Sequence, residues 1–334
     1  MNRILRKRLG LIIASAIATL ILITLALEPD DIPAPVRSAL HPTGTAAIAS
    51  PGQFPKSLPT VERDRLVADL TALDYPRFEA ADRDRARIYL VDTLENLGWQ
   101  TRLEPFAAGI NLIAEQPNTP EDAETLLVGA HYDTVKDSPG ADDNATAVAT
   151  LLEIARIYAE QPPTRSLRLV FFDLEEAGLL GSLAHANQSA NLDSLIGAVI
   201  LDMVGYTCNQ PGCQTYPEGL PITPPSDRGT FIGFIGDADH PELLAAFQSV
   251  DRPQEPAAVI LPVPLSPDLP PDLARSDHVP FWQNGIGAVM VTDTADFRNP
   301  HYHQPTDTLD TLDLEFFTGV VQRVVDGVEI LINQ

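Results

Sequence analysis

The sequence predicts an α/β protein with a mixed, largely parallel central sheet flanked by helices, preceded by an N-terminal membrane segment. Short apolar runs typical of buried strands alternate with amphipathic segments typical of helices along most of the chain. With 334 residues, 44% of them hydrophobic, the chain is long enough for one large domain with its own core. Ligand sites in such sheets collect where the strands end, and His, Asp and Glu recur directly after the apolar runs.

The N-terminal residues differ in composition from the rest of the chain. Residues 1–8 are basic, and residues 9–27 form an uncharged apolar run whose length is within the roughly 17–25 residues that span a bilayer as a helix. Basic residues before such a span favour a cytoplasmic N terminus. We therefore predict a transmembrane anchor at 9–27, with the remaining chain in the periplasm or outside the cell. A cleaved signal peptide is the alternative, with residues 24–26 as a small-residue cleavage site, and it would release a secreted protein.

The next residues predict a linker and then one folded domain. Residues 28–59 are rich in Pro, Ala and Ser and show no sustained periodicity, which is typical of a linker. The folded domain is predicted at residues 60–334. Apolar residues at helical spacing predict its first two helices, and Gly98 suits the position just after the second. Predicted helices lie at 61–73, 78–97, 144–159, 241–250, 277–283 and 314–331.

Strands are predicted from short apolar runs between these helices. The runs at 167–172 and 195–201 are mainly apolar, which is typical of buried strands. The remaining predicted strands lie at 100–105, 110–114, 125–130, 230–235, 257–261 and 287–291. Residues 252–272 are rich in proline and are predicted to contain, besides the strand at 257–261, a surface loop that borders the site.

The net charge of −24 is spread through the chain rather than gathered in one tail. A nucleic-acid partner is excluded on this ground, because no basic stripe is available to neutralise phosphates. An acidic surface usually reflects solubility, so we infer no substrate from the charge.

The two cysteines indicate a disulfide. Cys208 and Cys213 frame the short segment CNQPGC, which a disulfide could close in an oxidising compartment. Two free surface thiols are the alternative. A zinc site built on this pair is disfavoured, because structural zinc normally takes four protein ligands.

Candidate metal ligands follow the predicted buried strands. They lie in five segments, which are GAHYDTV, SPGADDNATAV, FFDLEEAGLLGS, LDMVGY and NPHYHQPTDT. Imidazole and carboxylate groups together suit zinc, and the same donors admit manganese or cobalt. There are more donors than one ion needs. Two ions that share a bridging carboxylate would use them, an arrangement known in hydrolytic sites.

These five segments resemble, in order, the signatures of the dinuclear-zinc exopeptidases. That family groups bacterial leucyl-type aminopeptidases, glutamate carboxypeptidases and the single-zinc glutaminyl cyclases. The similarity extends over residues 111–310. It implies the zinc-exopeptidase (phosphorylase/hydrolase-like) fold for the catalytic domain and a peptide as its substrate.

The resemblance implies two Zn²⁺ per chain, held by five ligands: His131, Asp143, Glu176, Asp202 and His303. His131, Asp143 and Asp202 would hold one ion, and Asp143 would bridge to the other, leaving Asp142 beside the site. Glu175 would be the general base, because it is adjacent to a ligand without being one. Asp133 is the second catalytic candidate, since it is two residues beyond His131 and is placed to orient that imidazole.

Other polar residues near these segments are weaker candidates. His301 competes with His303 as a ligand, and the spacing within the family favours His303. Ser276, Asp277 and His278 also resemble a family segment and would contact the substrate or support the site, with a plain helix cap as the alternative. His185 has the sequence context of a surface position.

The leading interpretation is a membrane-anchored or exported zinc aminopeptidase that removes N-terminal residues from peptides. A carboxypeptidase would need an arginine patch for substrate carboxylates, and the four arginines between residues 205 and 304 form no cluster in the sequence. A glutaminyl cyclase would use one zinc, whereas His131 together with Asp202 favours two. An inactive receptor-like ectodomain would have lost ligands that this chain retains.

Overall fold

Eight strands form one mixed sheet in the computed structural model, which describes residues 58–117, 119–120, 123–160, 163–220, 222–248, 252, 255–267 and 269–333. The strands are β1 (Gln100–Pro105), β2 (Ile110–Glu115), β3 (Thr125–His131), β4 (Ser166–Phe172), β5 (Leu195–Leu201), β6 (Phe231–Asp237), β7 (Ala257–Val263) and β8 (Ala288–Thr292). Their order across the sheet is β1-β2-β4-β3-β5-β8-β6-β7. Four of the seven neighbouring pairs are parallel, so the predicted mixed α/β sheet flanked by helices is confirmed.

Helices cover both faces of the sheet. They are α1 (Arg63–Leu73), α2 (Ala80–Asn96), α3 (Ala147–Glu160), α4 (Leu180–Ala186), α5 (Ser189–Leu192), α6 (Pro241–Gln248), α7 (Val279–Gln283) and α8 (Leu314–Ile332). Every residue of β3 is buried. Leu126 and Val128 pack into one core cluster with α3 and α8, whereas Leu127 packs into a second cluster with α7. This explains the continuous apolar run, because a central parallel strand buries both of its faces.

The sequence predictions agree with the observed strands to within about two residues at each end. One helix begins later than predicted, at Ala147 instead of residue 144, because Ala141–Thr146 forms an irregular turn with non-helical angles at Asp143 and Asn144. The short helices α4 and α5 were not predicted. The proline-rich stretch 252–272 contains β7, an edge strand of the sheet, where Pro262 is tolerated because one side of the strand has no partner.

The predicted anchor at 9–27 lies outside the described residues, as does nearly all of the predicted linker. Across the part of the chain that the structure describes, no helix is long and apolar enough to cross a bilayer.

The predicted disulfide is present. Cys208 and Cys213 are bonded, with their Cα atoms 6.3 Å apart, so the alternative of two free thiols is excluded. The bond closes a turn beyond the end of β5, and Cys208 pairs there with Gly229 in an isolated bridge.

Candidate metal centre

Three neighbouring parallel strands bring the predicted ligands to one edge of the sheet. β4, β3 and β5 lie side by side. His131 is the last residue of β3, Asp202 directly follows β5, and Glu175 and Glu176 follow β4 after a two-residue turn. Because the carboxyl ends of parallel strands meet at the same edge, these side chains converge there.

Five side chains form two groups that share one carboxylate: His131, Asp143 and Asp202 in the first, and Asp143, Glu176 and His303 in the second. In the first group, His131 Nε2 lies 3.3 Å from Asp143 Oδ1 and 3.7 Å from Asp202 Oδ1. In the second, His303 Nε2 lies 3.3 Å from Asp143 Oδ2 and 3.0 Å from Glu176 Oε2. Asp143 therefore directs one oxygen into each group, which is the arrangement that a bridging ligand requires.

These distances suit a tetrahedral cation. Ligand atoms at ordinary zinc bond lengths lie roughly 3.3–3.6 Å apart around a tetrahedral ion, and the measured separations fall close to this range. Among the residues that the structure describes, both ring nitrogens of His131 and the Glu176 Oε1 atom are buried without a hydrogen-bond partner. Buried polar atoms are almost always satisfied, and a cation bound by these residues would account for the exceptions.

The carboxylates of the centre are unfavourable neighbours without a cation. Burial and the adjacent charge of Asp143 together raise the pKa of Glu176 to about 7, against the opposing effect of His303. Burial also raises the pKa of Glu175 well above its ordinary value, with added repulsion from Asp202 and Asp277. A divalent cation would remove this repulsion and keep the ligand carboxylates ionised.

Asp133 connects the segment that contains His131 with the segment that contains Glu175 and Glu176. Its Oδ1 accepts a hydrogen bond from the Glu175 N–H at 3.0 Å, and its Oδ2 accepts one from the Glu176 N–H at 3.2 Å. Asp133 Oδ1 also lies 3.4 Å from His131 Nδ1. The predicted contact to the imidazole is thus accompanied by a contact to the backbone of the Glu pair, which the sequence pattern does not indicate.

Two further buried residues hold the ligand segments, and sequence reasoning missed both. The Asn144 amide donates to the Leu201 carbonyl and accepts from the Met203 N–H, so it spans Asp202. The Asp307 carboxylate accepts the backbone N–H groups of residues 142 and 143 at 2.9 and 3.0 Å. Both residues lie within motifs identified in the sequence, but they bind backbone groups, and such partners cannot be predicted from residue type.

The ligand groups open into a cleft of about 920 Å³ with a largely apolar wall. The apolar residues come from β6, β7, β8 and the loop after the disulfide, and they include Tyr216, Phe231, Ile235, Leu261 and Met290. Glu175 lines the same cleft. Arg275 is the one arginine among the described residues that line it, and it donates to Asp296 at 3.0 Å and to the Tyr302 hydroxyl at 3.1 Å.

The structure separates the weaker candidates. His301 belongs to neither ligand group, and its Nδ1 lies 2.9 Å from Thr306 Oγ1. Ser276, Asp277 and His278 are buried, and Ser276 lines the cleft. None of the three caps α7 through its side chain. The surface position expected for His185 is wrong, because its ring is fully buried beside α7 and lies 2.8 Å from Glu104.

The fold and the centre define a class of α/β protein that carries two adjacent groups of candidate metal ligands at the carboxyl edge of its sheet, beside an apolar cleft. The chain belongs to Peptidase family M28, whose family model matches residues 111–326. The family resemblance read from the five sequence segments is therefore confirmed.

The chain aligns with its relatives over different shares of their length. YfbL of Escherichia coli, an uncharacterised protein, is 32% identical over 299 residues, which cover 81% of this chain and 88% of that protein. The probable lipoprotein aminopeptidase LpqL of Mycobacterium tuberculosis is 27% identical over 269 residues, which cover 68% of this chain. The chain spans only about half of LpqL (49%).

Solved structures share the fold. The LapA aminopeptidase of Legionella pneumophila superposes with a TM-score of 0.66 at 19% identity, over 82% of this chain and 73% of that one. A glutaminyl cyclase of Bacteroides thetaiotaomicron superposes with a TM-score of 0.57 at 17% identity, over 82% and 99%. The same fold therefore carries two different reactions.

Proposed function

We propose that this chain is a zinc-dependent aminopeptidase that binds two zinc ions and removes apolar N-terminal residues from peptides. The proposal rests on one observation: the Asp143 carboxylate belongs to both ligand groups, and Glu175, which is not a ligand, lines the open cleft beside them. The names of the relatives support it, because LpqL and LapA are called aminopeptidases and a Bacillus subtilis structure of the same fold is called a zinc aminopeptidase.

Each residue then has a defined task. Bound zinc would supply acidity to a water molecule, lowering its pKa toward about 7, and would polarise the scissile carbonyl. Glu175 accepts a proton from the attacking water and returns it to the leaving amine. Asp133 accepts a hydrogen bond from the backbone of Glu175 and lies next to His131, so it fixes the position of the base relative to one ligand.

The cleft supports an aminopeptidase that prefers apolar residues. The side chains of Ile235, Leu261 and Met290 form a wall next to the ligands, and an apolar side chain buried there gains roughly 25 cal/mol per Å². A carboxypeptidase is less well supported, because the guanidinium of Arg275 is already paired with Asp296 and lies 3.5 Å from Asp272.

The test compares matched leucyl peptides with free and acetylated N termini, using the purified full-length chain. Each peptide is assayed before zinc removal, after chelation and after zinc is restored, and bound zinc is counted by elemental analysis. We expect zinc-restored cleavage of the free-amine peptide alone, with two zinc ions per chain. Equal cleavage of both peptides would contradict the aminopeptidase assignment.

A peptide with N-terminal glutamine separates the cyclase. Loss of ammonia from this peptide by mass spectrometry, without cleavage of the leucyl peptide, would assign the chain to the cyclase reaction. No zinc and no turnover of either peptide would indicate an inactive ectodomain.

We also propose that residues 9–27 anchor a catalytic domain of residues 60–334 outside the cytoplasm. The disulfide supports this location, because such bonds persist in oxidising compartments. N-terminal sequencing of the membrane-bound protein tests the anchor. A mature chain that begins just after residue 26 would show a cleaved signal peptide and a secreted enzyme instead.

A further inference from the structure

Arg77 is a fully buried arginine between α1 and α2 whose guanidinium binds backbone carbonyls. Nε donates to the Tyr132 carbonyl at 2.7 Å, and Nη2 donates to the Gly140 carbonyl at 2.8 Å. Nη1 donates to the Pro139 carbonyl at 2.7 Å, to the carbonyl of the last residue of α1 and to that of the residue two positions later. Within the described residues no carboxylate pairs with this group at ion-pair distance. An arginine that gives up hydration without a counter-ion needs a full set of acceptors, and the chain supplies them.

The bonded carbonyls belong to two segments that carry metal ligands. Tyr132 directly follows His131, the last residue of β3, and Pro139 and Gly140 lead into the turn that contains Asp143. The backbone N–H of Arg77 also donates to Thr134 Oγ1 at 2.9 Å, which attaches the arginine to the same strand end. One guanidinium therefore fixes the His131 segment relative to the Asp143 segment.

The opposite side of the same turn is held by an anion. Asp307 binds the N–H groups of Asp142 and Asp143, and its own carbonyl accepts the Ala141 N–H at 3.2 Å. The turn is thus fixed through its carbonyls by Arg77 and through its N–H groups by Asp307. A lysine could not reproduce the first of these contacts, because an ammonium lacks the planar fork that reaches several acceptors at once.

We propose that Arg77 is a positioning residue of the metal centre, which sets the distance between His131 and Asp143. This inference rests on the proposed zinc site. Loss of the Arg77 guanidinium is expected to affect the two ligand groups unequally. The first group contains both segments that Arg77 joins, whereas the second shares only Asp143 with it. Loss of the guanidinium fork therefore loosens the first group more than the second.

The test compares Arg77→Lys with Arg156→Lys in the full-length chain. Arg156 is a matched control, because its guanidinium makes a two-pronged contact with Asp69 at 2.6 and 2.8 Å, between α1 and α3, and contacts no ligand segment. Zinc affinity is measured by competition with a chromophoric chelator, and the visible spectrum of the cobalt-substituted protein reports ligand geometry. Thermal unfolding of each metal-free protein measures general destabilisation.

We expect Arg77→Lys to lower the affinity for one of the two zinc ions roughly 10–100-fold, as loss of supporting contacts does at other metal sites. Its cobalt spectrum should change, and kcat should fall with little change in KM. Arg156→Lys should lower the unfolding temperature but leave zinc affinity and the cobalt spectrum unchanged. Two zinc ions bound to Arg77→Lys with unaltered affinity and an unaltered spectrum would overturn the inference.

A second variant covers the case in which Arg77→Lys fails to fold. Thr134→Val removes the acceptor for the Arg77 N–H while keeping the side-chain shape, and we expect a smaller change of the same kind. A wild-type chain that binds no zinc would instead refute the proposed function, which separates the two failures.

Discussion

Gly140 offers the sharpest test of how tightly the turn before Asp143 is constrained. Its backbone is left-handed, with φ at 63° and ψ at 49°, and it lies against the ligand segment. A Cβ atom built there would meet the Asp143 carbonyl oxygen at 2.3 Å, Thr134 Cγ2 at 2.4 Å and Arg77 Nη2 at 2.9 Å. The nearest of these is backbone, and the next belongs to a stiff β-branched side chain.

Gly140→Ala therefore carries two costs. The left-handed conformation costs an alanine about 1–2 kcal/mol. The steric conflict adds to this, because ordinary contacts need roughly 3.5 Å, so the turn must shift by about 1 Å. Metal–ligand distances normally fall within about 0.2 Å of their standard values, and a 1 Å error at a reacting centre can reduce rates on the order of 100-fold. We expect that loss in kcat, with weakened zinc binding.

Gly98→Ala is the matched control for Gly140→Ala. Gly98 also has a positive φ, 86°, but a Cβ atom there meets nothing within 4 Å. It should carry only the backbone cost and lower the melting temperature by about 2–4 °C per kcal/mol. The assay is thermal unfolding with and without zinc, together with a zinc titration. The same zinc affinity in both alanine variants would refute the steric reasoning.

Three further predictions concern the base, the disulfide and acid stability. Glu175→Gln should lower kcat roughly 10²–10⁴-fold with the zinc content of the wild type; loss of zinc would make Glu175 a ligand instead. Replacing Cys208 and Cys213 with serine should destabilise the loop by about 2 kcal/mol and raise KM, measured with a leucyl peptide, because Tyr216 follows this turn into the cleft wall; an unchanged KM would contradict that link. Glu104 is buried, which alone would raise its pKa, but hydrogen bonds led by His185 lower it from 4.5 to about 2. The ionised Glu104 contributes on the order of 3 kcal/mol to the free energy of unfolding; this contribution is present above pH 4.5 and is lost as the pH falls toward 2. The difference in free energy of unfolding between wild type and Glu104→Gln, measured with urea, should therefore become smaller from pH 4.5 to pH 2. A difference that stays constant over this range would contradict the prediction.

The sequence predicts the middle of the sheet well because its central strands are almost entirely buried. The runs that form β3, β4 and β5 are mainly apolar, with Arg168 as an interruption in β4, and the ligands come at or just after their ends. The helix predicted from residue 144 began later, because Asp142 and Asp143 have the residue types of a helix cap. In the structure their backbone N–H groups bind Asp307 instead. Such a contact over more than 160 residues leaves no periodic signal.

The parts of the centre that escaped prediction share a physical cause. Arg77, Asn144 and Asp307 act on backbone groups, and every residue except proline offers the same N–H and C=O. Their partners therefore cannot be recognised by residue type, whereas a ligand set can be recognised because zinc selects imidazole and carboxylate. The identity of the ligands is written in short motifs. Their spacing in three dimensions depends on buried polar contacts between distant segments, and these are the contacts that the Arg77 and Gly140 variants perturb.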